Sequence, residues 1–197
     1  MFRVNYEPYS LLISTTRRSF DERRRSDFES LDRLGYQQLR MQAQLLDVHE
    51  DGEEHSSLFT LAVFHEQQEK PLLLLIRPYE FGPGMWLYPG ALLVPETGLL
   101  LVGVGEQVFG YRLDPPAKLW QEAAEEGFWK WQRYQDVCLM TAELELAAWD
   151  VQGNRLWSIF VEPPWTYRLH DRTIEVEVMG VKTSFPLEGP PAVHWWR

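Results

Sequence analysis

Apolar and polar residues alternate along most of the chain, and this two-residue period predicts a protein built mainly from β-strands. Residues 58–64 and 72–76 form apolar runs with the length of buried strands. An opening strand is predicted over residues 1–16, and the alternation over 39–45 predicts another strand. Asp51-Gly52 is a hairpin-turn dipeptide. The pattern therefore favours a mainly β fold.

One helix is predicted, over residues 19–34. Ser19 and Glu22 have the spacing of a capping box at a helix N-terminus. Phe28, Leu31 and Leu34 recur every three residues and would define one apolar face. A glycine follows at position 35, where we expect the helix to end.

The pattern repeats from residue 97 onwards. Residues 97–120 and 138–157 each hold two short strands, a turn and a closing Leu-Trp pair. A fainter third copy runs through residues 173–187. Because self-similarity of this length marks repeat architectures, we expect one supersecondary unit per copy.

The two clear copies resemble the quinoprotein-type β-propeller repeat, in which a strand, an aspartate-containing turn and a Gly-x-x-x-Trp strand ending recur. Gly153 and Trp157 have that spacing, whereas the first copy, ending at Trp120, lacks the glycine. The resemblance covers 97–157 and extends in fainter form to 187. It implies blade-like antiparallel meanders. It does not imply quinone chemistry, since the sequence has no cofactor ligand of that family.

The predicted fold class is therefore mainly β: an antiparallel meander with blade-like repeats, forming a partial propeller or a sandwich, plus one N-terminal helix. A closed propeller needs at least four blades of four strands, more than the copies supply. We expect residues 1–197 to form a single domain, of which 97–187 is the repeat-like region.

Charge and composition limit the partners. The net charge is −10 and the pI is about 5.0, which argues against nucleic acid and against anionic membrane surfaces. The N-terminal residues lack the apolar segment of a signal peptide, and no apolar run is long enough to span a membrane. Cys138 is the single cysteine, and it lies in an apolar run as a buried thiol would. We expect a cytoplasmic protein.

Three groups of residues have types that could carry chemistry. Gly103, Gly105 and Gly110 do not have the spacing of a dinucleotide-binding loop, and we interpret them as close packing in strands. The acidic turn from His49 to His55 is interpreted as a solvated hairpin tip. We therefore expect no metal and no cofactor. Glu143 and Glu145 alternate along one strand, so a carboxylate pair for glycan hydrolysis stays open as an alternative.

Aromatic residues are the most unusual feature, with 9 Trp, 8 Tyr and 10 Phe. Trp120, Trp149 and Trp157 occupy repeat positions and are predicted to pack in the core. Other aromatic residues fall in loop-like contexts, where tryptophan and tyrosine are favoured anchors for recognition. The predicted binding residues are Trp86, Tyr88, Trp129, Trp131, Tyr134 and Trp165.

The sequence thus favours a non-enzymatic intracellular binding module for a protein or peptide, with an aromatic surface on an acidic domain. A basic partner would be steered by long-range attraction, and an adaptor or an immunity-type protein would both fit. Two alternatives remain: a carbohydrate-binding or glycan-hydrolysing protein using Glu143 or Glu145, and a structural subunit of an oligomer. The oligomeric state is left open.

Overall fold

The computed structural model describes residues 2–17, 33–49, 57–80 and 88–190, which contain sixteen strands and one helix. The chain divides into two compact units. The first is Met1–Trp86 with Tyr111–Lys118, and the second is Leu87–Gly110 with Leu119–Arg197. The single-domain organisation of residues 1–197 stays a prediction.

The first unit contains a five-stranded mixed sheet in the order β1-β2-β4-β5-β3, in which only β3 and β5 are parallel. The predicted buried strands at 58–64 and 72–76 are confirmed as two of the three interior strands of this sheet, while the opening segment forms two strands instead of one. The five strands are β1 (Phe2–Tyr6), β2 (Tyr9–Arg17), β3 (Leu45–Val48), β4 (Ser57–His65) and β5 (Leu73–Tyr79).

The single helix of the described residues, α1, spans Arg33–Gln42. The helix predicted over 19–34 lies outside the described residues up to residue 32. The strand predicted over 39–45 is wrong up to residue 42, because residues 39–42 belong to α1. Leu39 and Ala43, four residues apart, pack against buried side chains of β4 and β5, as successive turns of a helix do. Met41, which a strand would place beside them, is 83% exposed. Gly35 lies inside α1 and does not end it.

Asp47 on β3 is the centre of the main polar cluster of the first unit. Its carboxylate accepts hydrogen bonds from the Arg77 guanidinium at 2.5 Å and from the Tyr111 hydroxyl at 2.6 Å, and the Lys118 ammonium lies 3.0 Å away. Burial alone would raise the pKa of Asp47, but these three donors outweigh it and lower the pKa to about 2. Burial and the bond to Asp47 raise the pKa of Tyr111.

The rest of the described chain forms antiparallel meanders, each joining strands that are neighbours in sequence. The meanders belong to the second unit except for Tyr111–Lys118, which falls in the first unit. Two sheets have four strands and one has three, and they correspond to the three sequence copies. The mainly β fold with blade-like repeats is thereby confirmed. The sheets are β6 (Gly90–Val94), β7 (Leu99–Val104), β8 (Gln107–Leu113) and β9 (Pro116–Ala123); β10 (Phe128–Tyr134), β11 (Val137–Ala142), β12 (Glu145–Asp150) and β13 (Arg155–Phe160); and β14 (Trp165–His170), β15 (Thr173–Val178) and β16 (Val181–Pro186).

The closing tryptophans of the repeat join one sheet to the next. The Trp120 indole on β9 donates a 2.7 Å hydrogen bond to the carbonyl of Gly153, in the turn after β12. Trp157 on β13 repeats this arrangement after β16, donating to the Leu187 carbonyl at 2.8 Å and packing over Gly189. Both glycines have positive φ, which only glycine adopts freely. Among the described residues, no helix has the length and apolar character needed to cross a membrane.

We expect Asp47→Asn to reduce the free energy of unfolding at neutral pH by about 3 kcal/mol, because it removes the carboxylate charge that faces the buried Arg77. Since the pKa of Asp47 is lowered in the folded state, its contribution is present above about pH 4 and is lost as the pH falls towards about 2. Urea denaturation of both proteins across this range measures the difference. A difference that stays constant down to pH 2 would contradict the assignment.

We expect Gly153→Ala to destabilise the second unit more than Gly180→Ala does. Both residues have positive φ, but a Cβ on Gly153 would lie 2.8 Å from the Leu99 side chain, whereas one on Gly180 meets nothing within 4 Å. The backbone strain shared by both variants costs about 1–2 kcal/mol, and the clash in Gly153→Ala adds about 1–3 kcal/mol. Equal melting temperatures for the two variants would show that the contact with Leu99 relaxes freely.

Candidate functional site

An open groove of about 420 Å³ lies along strands β10 and β14 of the second unit. We call it the aromatic groove, and its main lining residues are Trp129, Lys130, Tyr134, Trp165, Tyr167 and Leu169. Strand β14 contributes alternate residues, since Trp165, Tyr167 and Leu169 are half-buried while the residues between them are exposed. These three side chains and Tyr134 rest on the buried core formed by the sheets of β10–β13 and β14–β16, so the groove has a packed floor.

Three aromatic rings lie almost parallel in the groove. The rings of Trp129 and Trp165 are 5.6 Å apart between centroids, with an angle of 5° between their planes. Tyr167 continues the row at 6.2 Å and 26° from Trp165. Offset stacking of this kind favours each ring pair by about 0.5–1.5 kcal/mol beyond the burial of apolar area. Trp129 is nevertheless 39% exposed, because it forms the open end of the row.

Hydrogen bonds fix the orientation of two of these rings. The Trp165 indole donates to the backbone carbonyl of Glu143 at 2.9 Å, and the Tyr167 hydroxyl donates to Gln132 Oε1 at 2.9 Å. The Lys130 ammonium lies 5.8 Å from the centroid of the Tyr167 ring, within cation–π range. Burial raises the pKa of Tyr167, so this hydroxyl stays a neutral donor at physiological pH.

The structure brings three of the predicted binding residues together: Trp129, Tyr134 and Trp165 all line the groove. Tyr88 is 54% exposed but is not part of the lining. Trp86 lies outside the described residues. The binding role of all six predicted residues stays a prediction.

Trp131 points to the opposite face of β10 and packs in the core. Its ring meets Trp149 edge to face at 5.2 Å and lies 5.8 Å from Phe128. Trp149 in turn stacks on Trp120 at 5.4 Å, and both Trp149 and Trp157 are buried as predicted. The register of β10 shifts between Phe128 and Lys130. Trp129 and Trp131 therefore face opposite sides of the strand, whereas regular alternation would place them on the same side.

Sequence reasoning missed Lys130, Gln132, Tyr167 and Leu169 as groove residues. The signal for two of them was available, because Trp165, Tyr167 and Leu169 alternate with polar residues along 165–170. The residues on β10 could not be found this way, since they face the groove only after the sheets of β10 and β14 have packed together.

The carboxylates considered for hydrolysis do not form a facing pair. Glu145 is buried at 5% exposure, and it accepts hydrogen bonds from Arg155 at 2.9 Å and from Ser158 at 2.5 Å. Glu143 is exposed in the bend before β12. Glu145 is thus held in a structural ion pair.

The remaining chemical candidates are also placed. Cys138 is fully buried, and burial raises the pKa of its thiol to about 11, which makes it a poor nucleophile. No group of three metal-binding side chains occurs among the described residues. Of the predicted acidic turn, only His49 lies within them. Gly103 and Gly110 are in close contact with Phe128 and Trp120, as expected for packing glycines.

No protein-family model matches the sequence, and no curated protein matches it. Among solved structures, the chain is similar to BamB from Moraxella catarrhalis, with 15% identity, a TM-score of 0.43, and coverage of 73% of this chain and 45% of that chain. It is similar to Sqt1 from Saccharomyces cerevisiae, with 13% identity, a TM-score of 0.40, and coverage of 68% and 41%.

Hsv2 from Kluyveromyces lactis has 14% identity, a TM-score of 0.30, and coverage of 52% of this chain and 33% of that chain. BamB is a β-propeller, and Sqt1 and Hsv2 are WD40 propellers. The chain spans less than half the length of each of these three structures.

We expect Trp131→Ala and Trp129→Ala to have different effects on stability. Trp131 packs in the core, so its truncation should cost about 3 kcal/mol. Trp129 loses little more than its stacking contact, and we expect a cost of about 1 kcal/mol. Urea denaturation of each variant measures these values. If the two variants were equally unstable, Trp129 would be a core residue and not an available binding surface.

Proposed function

We propose that this protein is a non-enzymatic binding module and that the aromatic groove holds a peptide segment of a protein partner. The observation that supports this proposal most directly is the parallel row of Trp129, Trp165 and Tyr167 along an open groove. Tryptophan and tyrosine dominate the energetic anchors of protein interfaces because they bury a large area with few rotatable bonds.

The shape of the groove favours an extended segment over an enclosed small molecule. Its rings give apolar walls, and Lys130, Gln132 and Thr141 add polar groups along the same side of β10 and β11. A surface with an apolar centre and polar margins is typical of protein recognition sites. The packed floor beneath the rings reduces the entropy that binding would cost.

The proposal includes a basic partner and a cytoplasmic location. The net charge of −10 would attract a basic partner over a long range and raise the rate of association. An adaptor and an immunity-type protein that neutralises a basic partner are both consistent with this charge. The single, buried cysteine is consistent with a reducing compartment.

Capture of partners from a lysate of the source cells tests the proposal. Tagged wild-type protein, Trp129→Ala and Phe2→Ala should be compared side by side, with mass spectrometry of the retained proteins. Phe2 is a matched control, since it is an exposed aromatic residue, at 58%, in the first unit. Truncating an anchor residue costs about 2 kcal/mol of binding, or about 30-fold in affinity.

The expected result is a partner that the wild-type protein and Phe2→Ala retain and that Trp129→Ala loses. A partner retained equally by all three proteins would place the binding surface elsewhere. If no protein is retained and an oligosaccharide binds instead, the carbohydrate alternative replaces this proposal.

A further inference from the structure

We propose that the residue anchoring the partner in the aromatic groove is an arginine, which stacks on Trp129 and is surrounded by the carboxylates of Glu125, Glu126, Glu143 and Glu162. This inference rests on the proposed function and names the chemistry of the segment that the groove accepts. We call the four glutamates the acidic collar.

Backbone hydrogen bonds tie the collar to the open end of the groove. The Glu143 amide donates to the Gly127 carbonyl at 3.2 Å, and the next amide, that of Leu144, donates to the Glu125 carbonyl at 3.2 Å. The Leu144 carbonyl accepts from the amide of Val161, which precedes Glu162, at 2.9 Å. Three turns are thereby joined, and they lead directly into Trp129 on β10 and Trp165 on β14.

The collar carboxylates are exposed, and none has a hydrogen bond or an ion pair within the described residues. This sets them apart from the paired glutamates of the second unit. Glu96, Glu122 and Glu145 are each paired with an arginine of the same unit. Four unpaired carboxylates therefore belong to the joined turns that lead into Trp129 and Trp165, and Lys130 on β10 carries only one opposing charge.

Trp129 offers the ring that a cation needs. One face of the indole lies against Trp165, the side chain is 39% exposed, and its N–H has no partner among the described residues. A planar guanidinium stacks on such a ring and donates several hydrogen bonds to surrounding carboxylates, which the compact ammonium of lysine does less well. The neighbouring Tyr167 already holds a cation, Lys130, at 5.8 Å.

The test uses a short Gly/Ser peptide with two arginines, and matched peptides with lysine or citrulline in their place. Binding is followed by the NMR signal of the Trp129 indole N–H, which is assigned by its absence in Trp129→Phe. We expect the arginine peptide to bind about fivefold more tightly than the lysine peptide, the scale of one exposed cation–π contact. Citrulline, which is planar but neutral, should leave the signal unmoved.

Charge-matched variants separate the collar from the overall charge. Glu143→Gln with Glu162→Gln should weaken binding of the arginine peptide about fivefold, as expected for the loss of two exposed ion pairs. Glu66→Gln with Glu69→Gln changes the net charge by the same amount on the turn between β4 and β5 of the first unit, and should have little effect.

Equal binding of the arginine and lysine peptides, or equal effects of the two glutamine pairs, would overturn the arginine anchor. Failure of the arginine anchor can be distinguished from failure of the proposed function. If Trp129→Ala loses a captured protein partner while the collar variant retains it, the groove is a protein site and the arginine anchor is wrong. If cellohexaose or chitohexaose shifts the Trp129 signal and the arginine peptide does not, both proposals are wrong.

Discussion

The packing of a tryptophan over a glycine turn is the contact on which the second unit depends. Trp120 and Trp157 each lie on the last strand of a four-stranded sheet and donate a hydrogen bond into the turn after the third strand of the next sheet. Both turns contain a glycine at positive φ, and a Cβ would lie 2.8 Å from the Leu99 side chain at Gly153 and 3.1 Å from the Trp157 ring at Gly189. This contact joins consecutive sheets in chain order, and it thereby brings β10 and β14 to the two sides of the groove.

The aromatic residues of the second unit consequently serve two purposes that composition does not separate. Trp120, Trp131 and Trp149 contact one another inside the unit, whereas Trp129 and Trp165 stack on its surface. Trp129 and Trp131 are only two residues apart. A strictly regular strand would turn both to one face, and the irregularity in β10 sends them to opposite faces. The groove thus depends on a local departure from ideal strand geometry.

The charged side chains also fall into two groups, those paired within the protein and those left without a partner. Arg133, Arg155 and Arg172 of the second unit are paired with carboxylates, as in the bridges from Arg155 to Glu122 and Glu145. In the first unit, Asp47 is surrounded by Arg77, Tyr111 and Lys118. Exposed ion pairs add little stability. The carboxylates without partners contribute the excess negative charge, a net −10, that attracts a basic partner over a long range. Four of these belong to the turns that precede Trp129 and Trp165 and that backbone hydrogen bonds join.

The sequence pattern was enough to predict a mainly β chain, three repeated meanders and buried tryptophans at repeat positions. Alternation and self-similarity can both be read directly from the order of residues. The pattern failed at residues 39–42, where Leu39 and Met41 alternate like a strand, yet docking of Leu39 and Ala43 on the first sheet favours a helix. The groove was predicted only in part. Trp129, Tyr134 and Trp165 stood out as aromatic residues in loop-like segments. Lys130 and Gln132 join them only through pairing and packing between strands that are distant in sequence, and no local period encodes those contacts.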